Sequence, residues 1–130
     1  MAGRPVARGW VSSSFGNRVD PFTGGRAWHA GIDFSARRGT EVLAAAGGVV
    51  IYADYRADYG HTIEINHGDG YVTRYAHQHE LKVAVGDVVK RGQVIGTVGS
   101  SGRASGAHLH FEVMKNGRQV DPRRYIARSI

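Results

Sequence analysis

Glycine placement constrains the fold of this chain more than any other feature. The chain has 130 residues and 19 glycines, which separate short apolar and β-branched runs instead of clustering into a linker. Short strands divided by glycine turns are typical of a compact all-β domain. We therefore expect an all-β fold, mostly antiparallel and with little helix.

Five segments have the composition of strands, and two dipeptides have the composition of tight hairpin turns. The strand segments are 47–53, 61–66, 71–77, 93–99 and 108–114. Asp69-Gly70 and Asn116-Gly117 are pairs that favour two-residue hairpin turns. Segment 40–46, "TEVLAAA", is ambiguous because its alanines tolerate helix or strand.

A weak internal repeat, referred to below as the internal echo, also favours an all-β domain. Residues 39–50 and 86–98 each run from a glycine through a single valine or a valine pair, and then a second glycine, to an apolar strand. Duplicated hairpins with glycine at the corners suit a β-sandwich or a partly opened barrel.

Length and charge limit the domain count and the partners. A chain of 130 residues suits one domain, which we expect to be a monomer. Its net charge of +6 favours anionic partners, such as nucleic acid, acidic membranes or acidic wall polymers, but it equally suits a role in solubility alone. We expect no nucleic-acid partner, since no binding motif or aromatic stacking stripe is present. No window approaches the roughly 18 apolar residues of a membrane span.

The histidines carry the chemical signal of this sequence. The chain has seven histidines and no cysteine, so any metal must be held by nitrogen and oxygen. His108 and His110 lie two apart in a predicted strand, which places both on one face while Leu109 and Phe111 take the other. Two imidazoles on such a strand must be hydrogen-bonded, coordinated to a metal or exposed to water.

Three of these side chains can complete a catalytic zinc site. Such a site needs three protein ligands and an open fourth position for water or substrate. His29, Asp33 and one of the pair His108 and His110 supply that set, and a spacing of four puts His29 and Asp33 on one face of either a helix or a strand. Zinc would polarise a carbonyl and lower the pKa of its water, and the remaining histidines suit a general base and an oxyanion donor.

In order and almost without gaps, the chain resembles the lysostaphin-like zinc endopeptidases, which cut the peptide cross-links of bacterial peptidoglycan. The resemblance covers residues 9–125 and rests on four segments: "HAGIDF", "GTEVLAAAGGVV", "YGHTIEINHGDGYVTRYAH" and "VGDVVKRGQVIGTVGSSGRASGAHLHFEV". The earlier segment "GWVSSSFGNRVDPFTG" is similar to the start of the domain in members from Gram-negative envelopes.

The resemblance implies a fold, a cofactor and a role for five residues. The implied fold is antiparallel β, related to the barrel-sandwich hybrids of lipoyl domains. His29, Asp33 and His110 would bind one zinc ion. His77 and His108 would be catalytic, one taking a proton from the metal-bound water and the other steadying the tetrahedral oxyanion. The implied partners are peptidoglycan peptides.

An alternative function and a location follow from the same family. Some members lose metal ligands and regulate other wall hydrolases, so a non-catalytic wall-binding regulator is the alternative, although this chain keeps all five positions. The substrate lies outside the cytoplasmic membrane, so we expect a periplasmic or secreted protein, although "MAGRPVARGW" lacks the apolar stretch of a signal peptide. We expect residues 1–130 to be a single catalytic domain at the C-terminal end of a longer envelope protein.

The remaining polar residues are expected to carry no chemistry, and the bond that is cut stays open. His61 and His79 are expected at the surface or lining the groove, since neither is needed for a three-ligand site. His67 is expected to be solvated in a hairpin turn. Aspartates in turn-like contexts shape the backbone; they are Asp20, Asp54, Asp58, Asp69 and Asp87. A glycine bridge, a D-alanine to diaminopimelate link and a stem-peptide bond remain open as the site of cleavage.

Overall fold

A computed structural model describes residues 3–19, 23–102, 104 and 106–126, and within them the fold is nearly all β. The strands are β1 (Trp10–Ser13), β2 (Gly16–Val19), β3 (Arg26–His29), β4 (Ile32–Ser35), β5 (Glu41–Leu43), β6 (Gly48–Arg56), β7 (Gly60–Gly68), β8 (Tyr71–Leu81), β9 (Val88–Val89), β10 (Val94–Val98), β11 (His108–Lys115) and β12 (Arg118–Val120). The helical content of the described residues is one short 3₁₀ turn, Pro122–Arg124. The predicted all-β fold with little helix is confirmed.

One antiparallel sheet dominates the molecule. Its main path runs β1-β4-β11-β8-β7-β6-β9, and β12 pairs with β11. Strand β10 pairs with both β5 and β8, so the β5–β10 pair joins the sheet through β8. Strands β2 and β3 form a separate hairpin. Within the described chain, no helix is long and apolar enough to cross a membrane.

The internal echo has a structural counterpart. Its first copy contains β5 and the start of β6, and its second copy contains β9 and β10. Each copy pairs with the other, because β5 lies against β10 and β6 lies against β9. The ambiguous segment 40–46 therefore contributes a strand, Glu41–Leu43, and no helix.

The core lies on one face of the central strands. In β11, Leu109, Phe111 and Val113 are completely buried, and Phe34 of β4 and Tyr75 of β8 join them. The Tyr75 and Phe111 rings are in contact, with centroids 5.2 Å apart. Alternation along each strand leaves the opposite face of β4, β8 and β11 available for polar side chains.

The two predicted hairpin turns are confirmed. Asp69 and Gly70 connect β7 to β8 with φ angles of 51° and 84°. Asn116 and Gly117 connect β11 to β12 with φ angles of 51° and 81°. Positive φ at both central residues is the geometry that joins strands without splaying them, and these residue types adopt it readily.

A close backbone contact fixes the loop that follows β10. Gly60, at the start of β7, and Gly102 both have positive φ, +68° and +74°. A Cβ added to Gly102 would lie 2.3 Å from the backbone nitrogen of Gly60. One added to Gly60 would lie 2.4 Å from the carbonyl carbon of Ser101. Only glycine allows the loop to pack this closely against β7.

This contact predicts a difference between two glycine substitutions. Gly92→Ala tests positive φ alone, because Gly92 has φ +82° and its Cβ would meet nothing within 4 Å. It should lower the free energy of unfolding by about 1 kcal/mol, which is the cost of placing a side-chain-bearing residue in the left-handed region. Gly102→Ala should cost clearly more, since it adds a backbone clash. Urea unfolding of both variants measures the two costs, and equal values would contradict the packing argument.

Candidate metal centre

Strand pairing brings a carboxylate and an imidazole directly opposite each other. In the sheet, His110 of β11 pairs with Asp33 of β4 on one side and with Ala76 of β8 on the other. His108 and His110 face away from the buried Leu109, as the sequence predicted. The site therefore lies on the polar face of the central strands.

His29 joins Asp33 across a turn and not along one element. His29 is the last residue of β3, and Asp33 lies in the next strand, β4, so the two do not share one helix or strand as the spacing suggested. Nε2 of His29 lies 3.3 Å from Oδ2 of Asp33, and Nδ1 of His110 lies 2.8 Å from Oδ1. One ligand atom from each of the three residues lies within 4.8 Å of the others.

Hydrogen bonds orient the two imidazoles toward that common point. Nδ1 of His29 lies 2.8 Å from the Ser14 carbonyl oxygen, which only accepts, so Nδ1–H donates and Nε2 faces Asp33. Nε2 of His110 lies 2.7 Å from Oε2 of Glu112, which leaves Nδ1 facing Asp33. Two imidazole nitrogens and one carboxylate form a ligand set that suits zinc.

The charges of these groups are strongly coupled. Burial alone would lower the pKa of His110, but its hydrogen bonds to Asp33 and Glu112 raise the pKa to about 9. Burial alone would raise the pKa of Asp33, but hydrogen bonds from His110 and His29 hold it well below its usual value. The His110 imidazole thus lies between two carboxylates, Asp33 and Glu112. A bound cation would replace the proton on Nδ1 of His110.

A buried ionic network contacts His110 through Nε2, the ring nitrogen that does not face Asp33. Glu112 is completely buried, and Tyr59 donates its hydroxyl to Oε2 at 2.8 Å. Arg74 of β8 donates from Nη1 to Oε1 of Glu112 at 2.7 Å and from Nε to Oε2 of Glu64 at 2.8 Å. Burial raises the pKa of Glu112, but the hydrogen bond from His110 and the charges of His110 and Arg74 bring it below its usual value.

Sequence reasoning missed this network, although a signal was present. Glu112 follows His110 by two residues, so both lie on the same face of β11. A carboxylate in a strand read as buried requires a charged or hydrogen-bonding partner. The partner, Arg74, is directly opposite Glu112 in β8, a register that the sequence alone does not specify.

A β-bulge turns His77 onto the polar face. Tyr75 of β8 is in the core, so simple alternation would send His77 there as well. Between the pairs His61–Gln78 and Ile63–Tyr75, β8 has one residue more than β7, and His77 takes a φ of 60°. The His77 backbone N–H donates to the Tyr59 carbonyl at 2.7 Å. The extra residue re-aims the side chain toward the site, as bulges near functional sites do.

His77 and His108 are held in the same way. Nδ1 of His77 lies 2.7 Å from the Ser101 carbonyl oxygen, and Nδ1 of His108 lies 2.9 Å from that of Gly106. Each Nδ1–H therefore donates to a backbone carbonyl, and each Nε2 takes no part in that hydrogen bond. Their ring centroids are 4.8 Å apart, and Nε2 of His108 lies 3.9 Å from Oδ1 of Asp33. Burial lowers the pKa of His77, and the hydrogen bond to Ser101 only partly offsets this.

The other histidines differ in their surroundings. The expectation that His67 lies in the hairpin turn is wrong, since it lies in β7. Its ring is half-buried, with Nδ1 2.7 Å from the Gly47 carbonyl and Nε2 2.7 Å from Oγ1 of Thr73. Burial lowers its pKa. His67 thus links the residue before β6 to β8. His61 and His79 line a small pocket beside Ser101, in agreement with a groove-lining position.

The aspartates expected in turns mostly lie there. Asp58 accepts from the backbone of Tyr59, and Asp87 accepts from the backbone of Ala84. Asp69 occupies a hairpin turn. Asp54 lies within β6 and not in a turn, and Asp20 lies outside the described residues.

Comparison with known proteins defines the class. The model of peptidase family M23 matches residues 27–122, and the chain belongs to this family. Over 118 residues it is 42% identical to "DD-carboxypeptidase/endopeptidase Mpg" of Neisseria meningitidis, a match that covers 91% of this chain and 27% of the relative. The chain therefore spans about a quarter of the length of that curated relative.

Solved structures agree with this assignment. A zinc-containing peptidase from Vibrio cholerae superposes with a TM-score of 0.85 and 37% identity, covering 93% of this chain and 39% of that one. The catalytic domain of lysostaphin from Staphylococcus simulans gives a TM-score of 0.81 and 32% identity, covering 90% and 91%. The resemblance inferred from the sequence motifs is confirmed.

The network behind His110 predicts an effect on metal affinity. Glu112→Gln keeps a hydrogen-bond acceptor but removes the charge that would favour Nδ1 of His110 as a metal ligand. Zinc affinity should fall by about tenfold, the lower end of the range for such supporting groups. Competition with a chromogenic chelator measures it. Glu64→Gln is the control, since Glu64 contacts Arg74 and not His110. Equal affinities for Glu112→Gln and the wild type would contradict the assigned role.

Proposed function

We propose that this chain is a zinc-dependent endopeptidase that hydrolyses peptide cross-links or stem-peptide bonds of bacterial peptidoglycan. The observation that carries the proposal is the convergence of His29, Asp33 and His110, whose ligand atoms lie within 4.8 Å of one another. Membership of the M23 peptidase family supports it, as does the similarity to the meningococcal relative, which is named a DD-carboxypeptidase/endopeptidase.

In this proposal His29, Asp33 and His110 hold one zinc ion. Zinc bound there would polarise the scissile carbonyl and make water acidic enough to attack near neutral pH. Ser14 and Glu112 fix the two imidazoles by binding the nitrogen that does not face the metal. The protein thereby presents its ligands in one orientation before the ion binds.

His77 and His108 share the two remaining tasks. One imidazole takes the proton of the attacking water, and the other steadies the oxyanion of the tetrahedral intermediate. Both rings have Nδ1 anchored to a backbone carbonyl, so Nε2 is the atom that acts in each. Their short separation allows both to reach one reacting centre.

The non-catalytic alternative is less well supported. A wall-binding regulator would need neither a complete ligand set nor two further imidazoles oriented toward it. This chain has both, on one face of the central strands. The geometry therefore favours the enzyme.

The site also bears on where the protein acts. Peptidoglycan lies outside the cytoplasmic membrane, so the proposed enzyme would act in the periplasm or outside the cell. The chain covers 91% of the lysostaphin catalytic domain but 27% of the meningococcal relative, which suits a single catalytic domain within a longer envelope protein.

Single substitutions should separate metal binding from turnover. Asp33→Ala and His110→Ala should remove bound zinc, because each deletes one of three ligands. His77→Ala should keep one equivalent of zinc and lower kcat by about 10²–10⁴-fold, the range for general acid–base help. Zinc content by plasma mass spectrometry and peptide release rates measure the two properties. Loss of zinc in His77→Ala would overturn the division of roles.

The proposed reaction predicts chelator-sensitive release of peptides from cell walls. Purified peptidoglycan treated with this protein should yield uncrosslinked stem peptides, identified by mass spectrometry. A zinc chelator should stop the release, and added zinc should restore it. Asp33→Ala serves as the matched protein control. No release from any wall type by protein that holds one equivalent of zinc would contradict the proposal, and the fragments otherwise identify the bond.

A further inference from the structure

A small pocket adjoins the histidine that the proposed mechanism uses. It has a volume of about 220 Å³ and is lined by Arg38, His61, His79, Ser100 and Ser101. Ser101 connects it to the site, since its carbonyl accepts the Nδ1–H of His77 at 2.7 Å. A substrate bound at His77 therefore lies next to this pocket.

The pocket contains a guanidinium that no acid among the described residues neutralises. Arg38 is exposed, and Nη2 donates to Nδ1 of His79 at 3.0 Å. Among the residues that the structure describes, no carboxylate pairs with Arg38. Because a guanidinium only donates, Nδ1 of His79 accepts, and Nε2–H is the remaining donor of that ring.

Of the other polar groups in the pocket, those of Ser101 and His61 are already hydrogen-bonded, and the hydroxyl of Ser100 adds a donor. The hydroxyl of Ser101 accepts from the backbone N–H of His61 at 3.0 Å and donates to the Gln78 carbonyl, so its one donor is used. Nδ1–H of His61 donates to the same carbonyl at 3.3 Å. The hydroxyl of Ser100 makes no hydrogen bond within the described part of the chain. A ligand would thus meet Arg38, His79 and Ser100, and all three can donate.

We propose that this pocket binds a free carboxylate of the peptide substrate, on the side of the scissile amide that His77 faces. Planar carboxylates match the donor fork of arginine, and a bond between two charged groups is stronger than a neutral one. The peptides of the wall carry carboxylates at their C-terminal ends and on acidic side chains. The inference rests on the proposed function, since it assigns a substrate subsite to that same site.

Paired substrates and matched arginine variants test this subsite. Cross-linked peptides are prepared as free acids, as C-terminal amides and as side-chain amides, and kcat and KM are measured for the zinc-loaded protein. Arg38→Gln should raise KM for the acid by about tenfold, the loss of one charged hydrogen bond, with kcat unchanged. Whichever amide abolishes the difference between the wild type and Arg38→Gln identifies the carboxylate that binds.

Arg37→Gln is the matched control, because it removes the same charge from the exposed neighbouring position. It should leave the preference for the acid intact, and Arg38→Lys should restore only part of it, since an ammonium lacks the planar fork. The inference is overturned if Arg38→Gln and Arg37→Gln change KM equally, or if Arg38→Gln changes KM for acid and amides alike.

Binding measured without turnover separates failure of this inference from failure of the proposed function. The imidazole NMR signals of His79 are followed while the acid or an amide is added. Selective shifts with the acid, lost in Arg38→Gln, would support the subsite even if no peptide were cleaved. Cleavage accompanied by equal shifts for acid and amides, or by none, would overturn the subsite and leave the peptidase intact.

Discussion

The site depends on the position of β11 between β4 and β8. Hydrogen bonding on both edges fixes this strand, and its register places His110 opposite Asp33 and Glu112 opposite Arg74. A slip of one residue would move Phe111 onto the polar face and His110 into the core, so burial of the apolar set specifies the register. The packing of the core thereby determines the geometry of the site, although the two lie on opposite faces.

The ionic network adds a second layer of constraint to the same strand. A fully buried Glu112 is costly to desolvate, and an ion pair with Arg74 does not by itself make the fold more stable than an apolar substitute would. What the pair contributes is orientation, because it holds the carboxylate where it receives Nε2–H of His110. Tyr59 completes this arrangement and fills a second lone pair of the carboxylate. In the proposed metal site, this network would hold His110 in position as a ligand.

The sequence predicted the strands more completely than the geometry of the candidate metal site. The alternation around His108 and His110 and the glycine-bounded segments follow from local residue preferences, so the polar face of β11 and both hairpin turns could be predicted. The grouping of His29 with Asp33 was also accessible, but its geometry was not, since the two residues belong to different strands joined by a turn. The position of His77 was least accessible. Alternation assigns it to the core with Tyr75, and only the unequal length of two paired strands shows the bulge.

Four imidazoles around the site are oriented in the same way, by a hydrogen bond from one ring nitrogen. In His29, His77 and His108 a backbone carbonyl binds Nδ1–H, and in His110 a carboxylate binds Nε2–H. Each bond holds one ring orientation, and in His29, His108 and His110 the opposite nitrogen lies toward Asp33. The loop containing Ser101 provides the anchor for His77 and also lines the pocket with Arg38. In the proposed reaction, a substrate group held in that pocket would therefore lie against the same loop that anchors the His77 ring.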